Sequence, residues 1–193
     1  MKIDAGEVLR YIGADKKDEA LRESVGQLIT EISPQLHPRR VIAQFRIKRT
    51  DGGFLLEGTD VVFKGKLIEK MLSGASEVFL FAATLGLESE LLLKRYFAID
   101  NLSGVLCDGI LTAAAESFCG DIVNELKAVA EKEGKRVRRR ISCGYGDFDL
   151  KHQADFLRLL NAEKLLGVKL NENFMMFPNK TVTAIVAVEE AVK

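Results

Sequence analysis

Between Val41 and Phe63 the chain alternates in hydropathy and then doubles back. Val41, Ala43, Phe45 and Ile47 alternate with Gln44, Arg46 and Lys48, the period-two pattern of a strand with one buried face. Asp51, Gly52 and Gly53 then supply a hairpin turn, because a tight two-residue connection needs residues that tolerate positive φ. Phe54 to Phe63 is the return strand, broken near Gly58. Two strands joined this closely must pair antiparallel, since parallel neighbours need a long crossover. A strictly doubly wound parallel sheet is therefore disfavoured from the outset.

The rest of the chain supplies helices around further strands. Asp4 with Glu7 three residues on reads as a capped helix start, with Gly13 as its stop. Leu21, Val25, Leu28, Ile29 and Ile32 recur at helical spacing up to Pro34. These two helices are predicted to form an N-terminal helical arm over residues 1–38, packed on a single unit over 39–193. A short helix is expected over Lys66–Leu72, ending at Gly74, and the apolar run Val78–Thr84 reads as a buried strand. Helices follow over about Glu88–Phe97 and Asn101–Glu133, the second stopping at Gly134. That long helix holds Gly104, Gly109, Ala113, Ala114, Ala115 and Gly120. Its glycines are not explained by helix propensity, so another backbone or a ligand is expected to pack closely there. Arg136–Ile141 is predicted as a strand, with Arg138 and Arg140 on one face and Arg139 on the other. A helix capped by Asp149 is expected to run on to Gly167, followed by extended pieces at Val168–Leu170, Met175–Phe177 and Thr181–Val188. Strands in adjacent hairpins, interspersed with helices, predict an α+β fold.

Several function classes lose support on composition and motif. Lys and Arg together number 28, as do Asp and Glu, so no net positive field draws the chain to nucleic acid or anionic lipid. The basic residues near Arg136–Arg140 alternate faces on a strand and do not make one stripe. The N-terminus begins polar and charged, without a signal-like core, and no apolar run is expected to reach membrane-spanning length. A cytoplasmic protein without nucleic-acid or membrane partners is the expectation. Cys107, Cys119 and Cys143 are widely spaced and odd in number, which argues against a disulfide framework or a structural zinc site. The sequence has no dinucleotide-binding or phosphate-loop glycine motif and no nucleophile elbow. His37 and His152 both fall at helix ends, where structural roles are usual.

One short run carries a possible site. Arg140 stands four residues before Gly144, Tyr145 and Gly146, with Ser142 and Cys143 between. Arginine offers a planar fork matched to a carboxylate, and glycine lets a ligand approach the main chain. An amino-acid-like ligand with a flat ring fits that spacing. An ordinary strand-closing turn with a solvated arginine fits it as well.

The longer pattern is more specific. Arg140, Gly144, Tyr145, Gly146 and Asp147, then Gln153, Leu159, Leu160, Asn161, Gly167, Met175, Met176, Pro178 and Thr181–Ala184 together resemble the activation domain of cobalamin-dependent methionine synthase, in a short free-standing form. Ala82–Gly86 and Val8–Gly13 are similar to that family too. The resemblance implies a curved α+β domain with a twisted antiparallel sheet flanked by helices. It implies S-adenosylmethionine as ligand, and cobalamin carried by a partner protein, a methionine synthase or related corrinoid protein. The implied role is as an accessory methyltransferase component. It presents a methyl group to the reduced cobalt after one electron arrives from a flavodoxin-like donor. Carried over residue by residue, Arg140 holds the ligand's carboxylate and the main chain at Ser142 meets its adenine. Gly144 and Tyr145 give close approach and an aromatic wall. Glu116 pairs with the ammonium or sulfonium, although a glutamate on a long helix is also often simply solvated. No catalytic side chain and no metal ligand is implied, because the nucleophile is the cofactor's metal. Cys143 stands where the family commonly has proline, which removes a restraint on the loop and is expected to place a thiol near the ligand. The loop that supplies a lower cobalt ligand is absent. A docking protein that kept the fold but lost the ligand, and service to a different corrinoid methyltransferase, are the competing readings.

Overall fold

The hairpin is present in the computed structural model, which describes residues 1–191. Strand β1 (Arg39–Thr50) turns into β2 (Gly53–Leu56) with Thr50 opposite Gly53 and Ile47 opposite Leu56. The chain turns again through Gly58, at φ 79°, into β3 (Val62–Phe63), which pairs back onto β2. The remaining strands of the sheet are β4 (Glu77–Thr84), β5 (Lys135–Val137) and β8 (Thr181–Glu190). Among the described residues the main sheet is six-stranded, in the order β3-β2-β1-β4-β8-β5. The pairing is antiparallel, so the class is α+β as the hairpins required. A separate two-stranded sheet joins β6 (Lys169–Leu170) to β7 (Met176–Phe177).

Two units divide the chain. The first comprises Met1–Arg39, Ala83–Asp121 and Phe177–Thr181. It contains α1 (Ala5–Tyr11), α2 (Glu19–Ile32), α4 (Leu87–Ile99) and most of α5 (Asn101–Lys132). Asp4 caps α1 by accepting from the Glu7 amide at 3.0 Å, and Asp18 caps α2 in the same way at 2.9 Å. Val8, Leu9, Val25, Ile32, Leu92 and Ile110 lie in its core. The residues expected as an N-terminal arm therefore share a core with α4 and α5.

The glycines of α5 are answered here. A Cβ added at Gly109 would stand 2.5 Å from Ile12 Cγ2 and 3.3 Å from Val8 Cγ1, and one at Gly104 would collide with the Phe97 ring. Close packing of helices, rather than a ligand, uses these two positions. Gly120, by contrast, has nothing within 4 Å. Gly120→Ala is therefore expected to stabilise the protein by about 0.5–1 kcal/mol through helix propensity. Gly109→Ala has the same propensity gain but overpacks the α1 contact, which costs about 1–3 kcal/mol, so a net loss is expected. Urea unfolding midpoints of the two variants, compared with wild type, check the opposite signs.

The second unit comprises Arg40–Ala82, Ile122–Met176 and residues 182 onward. It contains α3 (Lys66–Leu72), α6 (His152–Leu159) and α7 (Ala162–Leu166). Val78, Leu80 and Ala82 from β4 and Ile185 and Ala187 from β8 form one side of its core. Phe63, Phe148, Phe156, Leu160 and Leu166 are among the residues that pack with them. Phe79 and Phe81 on the opposite face of β4 are buried as well, which is why this strand reads as a continuous apolar run.

Three expectations need correction. The helix starting at His152 does not run on to Gly167: Asn161 takes a left-handed φ of 50° and separates α6 from α7. The strand predicted over Arg136–Ile141 is regular only to Val137. Residues 101–132 form one helix long and apolar enough, by length and composition, to cross a membrane, contrary to the reading that no run reaches that size. Half of its most apolar window is buried inside the protein, and Leu106, Cys107, Ile110, Leu111 and Ala113–Ala115 belong to the core of the first unit, as in a core helix.

At the sheet edge Glu189 is buried, and Arg136 and Arg138 both pair with it. The Arg138 hydrogen bond holds its carboxyl below the usual range. A depressed folded-state pKa contributes stability above the unfolded-state value and loses it as pH falls through the folded one. The stability difference between wild type and Glu189→Gln is therefore expected to be flat above about pH 5 and to shrink below about pH 4, as read from urea midpoints across that range.

Candidate ligand-binding loop

The site residues sit where β5 leaves its register. Val137 faces Val188, and the Arg138 amide donates to the Ala187 carbonyl at 2.9 Å. Beyond this point Ile141 faces Ile185, each donating to the other at 3.0 and 2.8 Å. Arg139 and Arg140 thus oppose the single residue Val186. This two-against-one arrangement is a β-bulge, a device that bends a strand and re-aims its side chains. The simple alternation predicted for Arg138, Arg139 and Arg140 does not carry through it. Arg138 turns to Glu189 and to the carbonyls of Lys70 and Met71. Arg139 is exposed and Arg140 is half-buried.

Beyond the bulge the chain makes two linked turns. The Tyr145 amide donates to the Ser142 carbonyl at 3.4 Å, the Phe148 amide to the Tyr145 carbonyl at 3.0 Å, and the Gly144 amide to the Phe148 carbonyl at 2.7 Å. Gly144 and Gly146 adopt φ of 88° and 58°, values that side-chain-bearing residues rarely take. The turn is pinned at both ends by buried side chains. Cys143 lies in the core, and Phe148 is fully buried against Phe63 (ring centroids 5.4 Å apart), His152 (5.4 Å) and Phe156 (6.4 Å). Between these anchors Tyr145 is 67% exposed.

Burial pushes the Cys143 thiol up to about 12. It is protonated at neutral pH and poorly nucleophilic. The Cys143 side chain packs into the core of the second unit rather than facing solvent. His152 occupies the first turn of α6, bonded through Nδ1 to Asp155 at 2.8 Å and packed edge-on to Phe63 and tilted against Phe148, a structural position. Asp149 precedes that helix with its carboxylate accepting from the Lys151 amide at 2.9 Å.

Arg140, Ser142, Gly144 and Tyr145 are thus gathered on one bulge and one turn of the second unit. Glu116 belongs to the first unit, half-buried on α5 between Ala115 and Ser117. The neighbouring Ser117 hydroxyl donates to the Lys2 carbonyl at 2.7 Å and accepts from the Lys2 amide at 3.1 Å. Ala82–Gly86 has a structural explanation at its end: Thr84 Oγ1 accepts from the Gly86 amide at 3.1 Å and lies 2.8 Å from the Thr181 hydroxyl.

Sequence reasoning placed Asp147 in the motif but gave it no role. Its carboxylate accepts from the amides of Lys66 (2.5 Å) and Leu67 (2.9 Å) at the start of α3. These bonds, the Leu67 one foremost, hold its carboxyl below the usual range. The available signal was Gly65, an N-cap position that offers no side chain of its own.

No protein-family model matches this sequence, and no curated protein matches it. Among solved structures it is similar to the crystal structure of the MetH reactivation domain bound to AdoHcy. The TM-score is 0.67 at 20% sequence identity, covering 91% of this chain and 67% of that one. At that identity the likeness establishes the fold: this chain has the α+β architecture of that reactivation domain.

Proposed function

We propose that this chain is an S-adenosylmethionine-binding reactivation module that supports reductive remethylation of oxidised cobalamin on a cobalamin-dependent methionine synthase. The observation that carries the reading is the fold shared with a reactivation domain that was solved with AdoHcy, the demethylated form of that methyl donor. The bulge and turn suit the same ligand class. A guanidinium at Arg140 matches the carboxylate of the methionine moiety. The bare main chain at Gly144 and Gly146 admits close approach, and Tyr145 offers an exposed ring for the purine to lie against.

When bound on its partner, cobalamin supplies the metal nucleophile for a direct displacement at the sulfonium methyl. This chain's contribution is alignment, a proximity effect. Arg140 fixes the amino-acid end and the turn at Ser142–Gly146 fixes the purine end, so the methyl between them is held in one place. No proton moves at the reacting atoms, and no general base is needed. Cys143, buried and protonated, does not compete for the methyl group. The cobalamin partner and a flavodoxin-like electron donor complete the reaction.

Calorimetry with S-adenosylmethionine and S-adenosylhomocysteine tests the reading. One-to-one binding of both is expected, and absence of heat with either at about millimolar ligand overturns it. A second arm mixes the chain with a methionine synthase carrying oxidised cobalamin, a reductant and the methyl donor. The visible spectrum should shift to methylcobalamin only when all are present. Association with the partner but no ligand binding would mark a docking protein of the same fold.

A further inference from the structure

We propose that Asp147 is a positioning residue that locks the Gly144–Gly146 turn in its binding conformation by capping helix α3; this rests on the ligand reading above. Three observations converge on it. Both carboxylate oxygens of Asp147 are engaged, Oδ2 with the Lys66 amide and Oδ1 with the Leu67 amide. The main chains are in close contact at the same point: a Cβ added at Gly65 would stand 3.0 Å from the Asp147 carbonyl oxygen and 3.1 Å from its carboxylate. Gly146 also abuts α3, since a Cβ there would stand 3.4 Å from Leu67 Cδ2. The far side of the turn is therefore seated on α3, while Tyr145 projects from it, 67% exposed.

The physical consequence is pre-organisation. Two glycines flanking Tyr145 leave the unbound turn with many accessible backbone states, and fixing each residue costs conformational entropy. Cys143 supplies no φ restraint of the kind proline gives. A carboxylate that accepts two amide hydrogen bonds from a different segment removes that freedom before the ligand arrives, which raises affinity without contacting the ligand. Gly65 is required for the seat, both for its φ of 123° and for the approach of Asp147. Asp147 itself is exposed, so replacing it leaves the core intact.

The test uses Asp147→Ala and Asp147→Asn in the full chain, with amide hydrogen exchange of the free protein and calorimetry with S-adenosylhomocysteine. Asp147→Ala is expected to speed exchange at residues 144–148 and at Lys66 and Leu67, and to weaken binding about tenfold. Asp147→Asn keeps one acceptor oxygen but sets its NH2 against the second amide, so it is expected to recover only part of either. Faster exchange with unchanged affinity overturns the positioning role and leaves a stabilising contact only. Equal loss of affinity in both variants with unchanged exchange also overturns it, because the carboxylate charge would then act on the ligand directly. If wild type itself binds no ligand, the functional reading falls and takes this proposal with it. The exchange data still show, separately, whether Asp147 holds the turn.

Discussion

Phe148→Ala is expected to destabilise the protein by about 3–5 kcal/mol, the range for deleting a large aromatic from a close-packed core. The ring is 1% exposed. It meets Phe63 edge-on at 80° and lies against His152 and Phe156. Aromatic pairs of this kind add about 0.5–1.5 kcal/mol beyond simple burial. Alanine would leave a cavity between β3 and α6, lined by the Phe63, His152 and Phe156 rings. The side chain also anchors the turn, because the Phe148 main chain bonds to both Gly144 and Tyr145. The variant should therefore show faster exchange of the turn amides as well as a lower urea midpoint. Phe148→Leu, which refills most of the volume, should recover over half of the loss. A loss below about 1 kcal/mol for the alanine variant would mean that the ring is not part of a packed core.

Arg140→Ala is expected to weaken binding of S-adenosylmethionine and S-adenosylhomocysteine alike by about 1.5–3 kcal/mol, the scale of a hydrogen bond to a charged group. The two ligands differ only at the methyl and the sulfonium charge, so equal effects place the arginine's partner among the groups they share and not at the sulfonium. Arg140→Lys should fall between the two, since a point charge cannot reproduce a planar two-donor fork. The bulge makes this arginine a distinctive candidate: regular pairing ends at Arg138, whose side chain is committed to Glu189 and the end of α3. Calorimetry checks the affinities, and urea unfolding of the same variants separates lost binding from lost stability. Wild-type affinity in Arg140→Ala would remove this side chain from the site.

Much of the candidate site was legible as a cluster because its proposed members are close in sequence. Arg140, Ser142, Gly144 and Tyr145 lie on one bulge and the turn after it, and the glycines permit the positive φ seen at positions 144 and 146. The direction of Cys143 was not legible. Side-chain alternation along a strand predicts facing only while the register holds, and the bulge at Arg139 and Arg140 interrupts it. The helix break at Asn161 was missed for a similar reason. The apolar positions Phe156, Leu157, Leu160, Ala162 and Leu166 all lie in one core, so hydropathy alone shows no interruption, and asparagine tolerates the left-handed conformation without a glycine to announce it.

Local chemistry settled the elements: the cap at Asp4, the turn at Asp51–Gly53, the stop at Gly134, and the hairpin that committed the sheet to antiparallel pairing. These depend on residues within a few positions of one another, and the sequence states them directly. Tertiary structure alone decided that Asp147 caps a helix 80 residues away, that Gly109 receives Ile12, and that β5 slips against β8 at Arg140. Each of these depends on which distant backbone arrives at a given place. That outcome is set by the packing of the whole core, and no window of sequence contains it.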